Sequence, residues 1–268
     1  MIQPTDRSSL TPDAQILYDL VSTPSVSGDE GAAAEVFVRH ATALGFDAQI
    51  DRVGNAIADR AASAHEDVIH IALLGHIDTV SGYIRVTVEE GILYGRGSVD
   101  AKGPLAAMLV AASRAEIPGN VRLTVAAAVG EEAAGSVGAR SLAPRWSPDA
   151  CIIGEPSGSA GVTLGYKGRL LMTARATCPN THSAGQQPSA PDELFALWAS
   201  VHSRVIDFNT DREKAFEQIQ ANLADLASTS DGLEQHARLA AGFRLPTDMT
   251  PGRLIEILRE IQIGRAHV

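Results

Sequence analysis

The chain has 268 residues, 45% of them hydrophobic and 20% charged, the balance of a soluble globular protein with one large domain or two smaller ones. Its net charge of −10 argues against a nucleic-acid or anionic-membrane surface, and aromatics at 4% leave little material for stacking platforms. The two cysteines, Cys151 and Cys178, cannot build a disulfide framework or a CxxC metal site; with no signal-like N-terminus and no run near the ~20 apolar residues of a membrane span, a soluble cytoplasmic protein is expected.

Thr11 is placed to cap a helix begun by Pro12, with Ile16, Leu17, Leu20 and Val21 on its apolar face. A second amphipathic helix is expected over Asp29–Leu44, closed by Gly45. Short strands follow over Asp47–Ile50 and Asn55–Asp59, about the Val53-Gly54-Asn55 turn. Val68–Leu74 is an unbroken apolar run, as in buried central strands, and it ends at Gly75-His76-Ile77-Asp78. Tyr83–Val88 and Ile92–Gly95 read as a hairpin over Glu90-Gly91, and Ala101–Ala115 as a buried Ala-rich helix. Val121–Val129 and Cys151–Ile153 read as further core strands, ending at Gly130-Glu131-Glu132 and Gly154-Glu155. This alternation predicts an α/β sheet with helices on both faces.

Around Gly165-Tyr166-Lys167-Gly168 the pattern changes. Arg169–Thr177 alternates like a strand, Pro191–Val205 is helical, Leu239–Leu245 is strand-like and Pro251–Ile261 is helical again. That β-α-β-α order predicts a smaller α+β domain. Thr210–Gly232 is polar and shows no assignable period.

Three of the apolar strands end in Gly followed by His or Glu, and in open α/β sheets ligand sites lie beyond the carboxyl ends of the strands. A fourth polar segment, Gly95-Arg96-Gly97-Ser98-Val99-Asp100, opens the buried helix. Singly, each has an ordinary explanation: His76 in a strand-end turn, Asp100 as a helix N-cap, Glu131 and Glu132 at a solvated helix start. Jointly they point to one crevice, where crowded carboxylates would repel without a cation between them. A metal pair is the simplest solution. His76 and Asp78, two apart, would face the same side of an extended segment, so that the carboxylate could accept the second imidazole N–H. Glu131 and Glu132 point in different directions, so one could bind metal while the other serves as general base.

In order and spacing, Gly75-His76-Ile77-Asp78-Thr79-Val80, Gly95-Arg96-Gly97-Ser98-Val99-Asp100-Ala101-Lys102-Gly103, Gly130-Glu131-Glu132 and Gly154-Glu155-Pro156 resemble one family. It is that of the dizinc exopeptidases and deacylases, which includes acetylornithine deacetylase and succinyl-diaminopimelate desuccinylase. The resemblance implies a mixed-sheet zinc-peptidase catalytic domain over 1–165 and an inserted α+β lid over 166–262, through which a homodimer would form. It implies two Zn2+ ions, for which Co2+ could substitute. His76 and Glu155 would hold one and Glu132 the other, with Asp100 bridging. Asp78 would support His76, Glu131 would be the general base, and a cis peptide would follow Asp100. His182, in Thr181-His182-Ser183-Ala184, would stabilise the oxyanion in a partner subunit's active site. Arg244, in Gly242-Phe243-Arg244-Leu245-Pro246, would meet a substrate carboxylate, although relatives carry Asp or Asn where Gly242 stands.

Gly154-Glu155-Pro156-Ser157-Gly158 followed by Gly165-Tyr166-Lys167-Gly168-Arg169 is similar to the lysine-biosynthesis branch of that family. These carrier-protein lysine or ornithine hydrolases free the amino acid from the C-terminal glutamate of a small acidic amino-group carrier protein. Lys167 and Arg169 would then form a basic rim for the carrier; otherwise they are surface charges at a domain hinge. The alternatives are an N-acyl-amino-acid deacetylase or dipeptidase of the same family, or a metal-free binding or regulatory homologue. The resemblance also calls for a further His ligand from beyond the lid. The one downstream candidate, His267, lies in Ile263-Gly264-Arg265-Ala266-His267-Val268, which resembles a translated sequencing adapter. Residues 263–268 are therefore expected to be a non-native tail, with the closing part of the catalytic domain absent and the chain as written inactive.

Overall fold

The computed structural model describes residues 7–61, 68–158, 160–180 and 187–263. The chain divides into two compact units, Met1–Val162 and Thr163–Val268. In the first, α1 (Pro12–Ser22) starts where expected, with Thr11 accepting from the Ala14 N–H, and α2 (Gly31–Ala43) follows. Strands β1 (Asp47–Ile50) and β2 (Ala56–Ala61) form an antiparallel pair, and β3 (Ile69–His76) lies deeper in the sheet. The hairpin of β4 (Thr87–Glu89) and β5 (Ile92–Tyr94) is shorter than the sequence suggests, because the segment from Tyr83 to Val86 runs outside any ladder. Then come α3 (Lys102–Arg114), β6 (Val121–Ala128), the short α4 (Val137–Leu142) and β7 (Ala150–Ile153).

The five-stranded sheet has the order β1-β2-β6-β3-β7. It is mixed: β3 runs parallel to both β6 and β7, and β2 runs antiparallel to β6. Period-two alternation divides its side chains between two faces. Ala56, Ala58, Leu73, Leu123, Val125 and Ala127 pack under α1, α2 and α3 with Leu20, Phe37, Leu105 and Leu109. Fully burying each of those large side chains contributes about 1.5–3 kcal/mol. Ile57 and Ala126 face the other way, against Leu142 of α4, with Leu74 and Trp146 beside them. One expectation changes here. Among the described residues β7 is an edge strand and not a core strand: there it pairs only with β3, and its Ile152 and Ile153 are 57% and 56% exposed.

The second unit holds β8 (Gly168–Pro179), α5 (Ala190–Asn209), β9 (Gln220–Ser230), β10 (Glu234–Leu245) and α6 (Pro251–Ile263). Its antiparallel sheet has the order β8-β10-β9. Leu194, Val201 and Val205 of α5 and Leu254 of α6 cover one face, over Leu239, Phe243 and Leu245. Ser189 and Asp192 close the start of α5 with a reciprocal capping box. β9 occupies the stretch whose polarity hid it: only Ala221 and Leu223 join the core, and Asn222 and residues 224–230 are exposed. No helix among the described residues is long and apolar enough to cross a membrane.

Candidate metal centre

The parallel set β6-β3-β7 brings three strand ends to one edge. His76 is opposite Ala128 on one side, and Leu74 is opposite Ile153 on the other. Glu131 and Glu132 therefore leave the sheet on one flank of His76, and Glu155 on the other. α3 packs across this edge, which is why Gly154 carries no side chain: a Cβ there would lie 2.5 Å from Met108 Cε and 3.3 Å from Pro104 Cβ. The turn before α3 delivers Asp100, and the Asp100–Ala101 peptide is cis, as the resemblance implied.

His76 is 2% exposed and stands at the centre. Its Nε2 is 3.0 Å from Asp100 Oδ1 and 4.0 Å from both Glu131 Oε2 and Glu155 Oε1. Ligand atoms of His76, Asp100 and Glu132 all lie within 4.8 Å of one another. The other ring nitrogen, Nδ1, faces the backbone carbonyl of Asp78 at 3.0 Å and its carboxylate Oδ1 at 3.4 Å. The carbonyl is thus the nearer acceptor, a division of labour that residue spacing alone does not reveal.

The Asp78 carboxylate, fully buried, has a second task. It accepts the backbone N–H of Glu131 at 3.0 Å, that of Glu132 at 2.9 Å, and the Ser27 hydroxyl at 2.7 Å. Burial alone would raise its pKa, but hydrogen bonds from His76, Ser27 and the two amides hold it down at about 2. Burial works against the charged form of His76, yet the bonds to Asp78 and Asp100 and the charge of Glu155 raise its pKa to about 9. Burial, then the charge of Asp100, raises Glu132; burial also raises Glu155, with His76 opposing and Glu131 and Asp100 reinforcing. The carboxylates around His76 repel one another, and one imidazole cannot neutralise them. An imidazole among converging carboxylates is a donor set suited to divalent metal, so these residues fit such an ion.

Around this cluster lie residues that sequence reasoning passed over. Asn55 is fully buried: its Oδ1 accepts the Val129 N–H, and its Nδ2 donates to Asp51, the Gly138 carbonyl and Ser141. Lys102, 1% exposed, donates to the carbonyls of Leu20 and Thr23, tying α3 to the end of α1; burial lowers its pKa to about 8. A buried polar residue in a Gly-containing turn was the one available signal for Asn55.

The remaining expected residues belong to the second unit. Arg169 and Arg244 are exposed and directly opposite each other on β8 and β10, at one end of a concavity of about 510 Å³ on the open face of that unit's sheet. The Lys167 ammonium is engaged with the carbonyls of Ala215 and Gln218, at 2.7 and 2.5 Å, so it anchors the segment before β9. His182 and His267 lie outside the described residues.

The family model for peptidase family M20/M25/M40 matches residues 72–261, which include His76, Asp100, Glu131, Glu132 and Glu155. The chain belongs to this family. M20 proteins are metal-dependent, and among the described residues of this M20 chain the candidate metal-binding group is His76, Asp100 and Glu132. A LysW-lysine hydrolase of Deinococcus radiodurans is 42% identical over 264 residues, an alignment covering 95% of this chain and 72% of that protein. Among solved structures, an M20 family metallo-carboxypeptidase from Sulfolobus solfataricus aligns with a TM-score of 0.68 at 17% identity, over 94% of this chain and 75% of that one. Human carnosine dipeptidase 1 aligns with a TM-score of 0.67 at 14% identity, over 97% and 75% of the two chains. At such low identity the two structures establish the M20 fold, a mixed α/β unit with a separate smaller antiparallel sheet.

Proposed function

We propose that the protein hydrolyses the amide joining lysine or ornithine to the C-terminal glutamate of an acidic amino-group carrier protein. The observation that carries this reading is the meeting of His76, Asp100, Glu131, Glu132 and Glu155, from four chain segments, at one edge of a sheet. The 42% identity to a LysW-lysine hydrolase supports the choice of substrate.

In this reading His76, Asp100, Glu132 and Glu155 hold two Zn2+ ions, with Co2+ able to substitute. When bound, such ions polarise the scissile carbonyl and acidify water. Glu131, which the same loop carries beside Glu132, takes the proton from the attacking water and passes it to the leaving amine nitrogen. Asp78 keeps His76 and the Glu131–Glu132 backbone in register with each other. In the lid, His182 of a second copy steadies the developing oxyanion, and a homodimer forms through that unit. Arg244 meets a carboxylate of the substrate, and Arg169 offers the basic rim to the acidic carrier, with Lys167 beside it holding the segment before β9 through its two carbonyl acceptors.

The test is a comparison of kcat/KM, using full-length protein loaded with zinc. The substrates are carrier–lysine and carrier–ornithine conjugates, N-acetylornithine and dipeptides. The carrier conjugates are expected to exceed the others by more than about 100-fold, because binding energy from the carrier is available only to them. Faster turnover of N-acetylornithine or a dipeptide would reassign the protein to general deacetylation or peptide cleavage. Zinc content near zero in active-site titrations would favour a binding or regulatory homologue.

A further inference from the structure

Three successive backbone N–H groups of the loop after β6 point at buried carboxylates. Those of Glu131 and Glu132 go to Asp78, which also touches His76. That of Gly130 goes elsewhere, to Glu30 Oε1 at 3.1 Å. The same oxygen accepts the Gly28 N–H at 2.9 Å. Glu30 is 8% exposed and stands at the N-cap position of α2, yet its side chain makes no cap bond to that helix. A carboxylate at this position ordinarily bonds the first-turn N–H groups of its own helix. Here it spans 100 residues of sequence to reach the loop that carries Glu131.

Gly130 is where this loop changes direction. Its φ is +65°, and a Cβ there would lie 2.8 Å from Val137 Cγ1. The chain turns at Gly130 and offers its next two amides to Asp78. A tether on the Gly130 N–H therefore fixes the start of the segment, while Asp78 fixes its crest. Released from Glu30, the loop would pivot about the Asp78 contacts, and the partly exposed Glu131 side chain would swing with it.

We infer that Glu30 is a positioning residue: its buried carboxylate ties the Gly28 turn to Gly130 and thereby sets where the Glu131 carboxylate stands for proton transfer. The inference deepens the amide-hydrolase reading and rests on the role given there to Glu131. What Glu30 supplies is an acceptor of the right reach, so charge is secondary. Glutamine keeps an oxygen at the same distance from the backbone; aspartate keeps the charge and loses one methylene of reach.

The experiment compares Glu30→Gln, Glu30→Asp and Glu30→Ala in the full-length, metal-loaded protein, with amide exchange of the segment 128–134 followed in both metal-free and loaded forms. Glu30→Ala and Glu30→Asp are expected to lower kcat by about 10- to 100-fold, with KM within about twofold and metal content unchanged. Exchange at Gly130 and Glu131 should quicken by at least about tenfold in both variants, with and without metal. Glu30→Gln should restore kcat and exchange to within about threefold of the parent. An Asp variant that matches the parent, a Gln variant as impaired as Ala, or unchanged exchange would each overturn the inference. Should Glu30→Ala fail to fold, the Gln and Asp pair decides by itself. Because exchange is read without substrate, failure of the tether is distinguishable from failure of the proposed reaction. The latter would show as an inactive parent with normal exchange behaviour.

Discussion

The Asp78 carboxylate accepts the backbone N–H of Glu132 at 2.9 Å while the Asp78 carbonyl stands 3.0 Å from Nδ1 of His76. One residue at the end of β3 thus orients two groups proposed as ligands that lie far apart in sequence. Replacing Asp78 by Asn keeps the carbonyl and the shape but presents an amide N–H₂ toward groups that donate. Metal affinity is expected to fall by about 10- to 100-fold, as is usual when partners of metal ligands are removed. Competition with a fluorescent chelator would measure it. Unaltered affinity would mean that the loop holds its place without Asp78.

Glu131 differs from its neighbour in what it can be spared. Its side chain is 44% exposed, and it is not in the group of ligand atoms that Glu132 forms with His76 and Asp100. Glu131→Ala is therefore expected to leave metal content unchanged while kcat falls by about 10²- to 10⁴-fold, the range that general acid–base catalysis supplies. Single-turnover kinetics alongside elemental analysis would check both halves. Wild-type turnover in this variant would remove Glu131 from the proton transfer.

The acid side of stability should report on Asp51. Its carboxylate accepts the N–H groups of Val53, Gly54 and Asn55 and pairs with Asn55 and Arg145. Burial pushes its pKa up, but these partners more than offset that and hold it below the ordinary aspartate value. A depressed folded-state pKa means that the unfolded chain takes up the proton more readily. The contribution is complete above the unfolded value of about 3.9 and is lost as pH falls toward and through the folded one. Urea midpoints measured between neutral pH and about pH 3 should fall, and Asp51→Asn should lower the neutral midpoint and flatten that part of the decline. Equal acid slopes in parent and variant would count against this.

The elements with a strong period were legible. VIHIALL and the Ala-rich helix after Asp100 announce a buried strand and helix, and Gly-His, Gly-Glu-Glu and Gly-Glu mark their functional ends. What escaped were features set by long-range contacts. β9 became a strand because β10 offers it a ladder, although few of its residues are apolar. Asn55 looked like a turn residue and Glu30 was one unremarked position near the start of a helix, since nothing local indicates that their side chains reach Val129 and Gly130 across 74 and 100 positions. Lys167 looked like free surface charge because its acceptors, the carbonyls of Ala215 and Gln218, are invisible in composition.

The glycine before Glu155 offers the last test, because sequence and packing can be separated there. A Cβ on Gly154 would meet Met108 Cε at 2.5 Å and Sδ at 3.0 Å, so α3 and the end of β7 approach as closely as they do only with hydrogen at this position. Gly154→Ala should cost about 1–3 kcal/mol of stability, the usual penalty for overpacking. It should also weaken metal binding, since the strand end that bears Glu155 is pushed away from His76. The nearest obstructing atoms are the far end of the flexible Met108 side chain, so Met108→Ala relieves the two closest contacts and leaves only the 3.3 Å approach to Pro104 Cβ. In the Met108→Ala background, Gly154→Ala should therefore be nearly neutral, with a coupling of about 1–3 kcal/mol between the two sites in a double-mutant cycle. If the two substitutions instead add independently in urea unfolding, the closeness of α3 to Gly154 is not what requires a glycine, and the placement of Glu155 must be set by the Gly154 N–H bond to the Leu74 carbonyl alone.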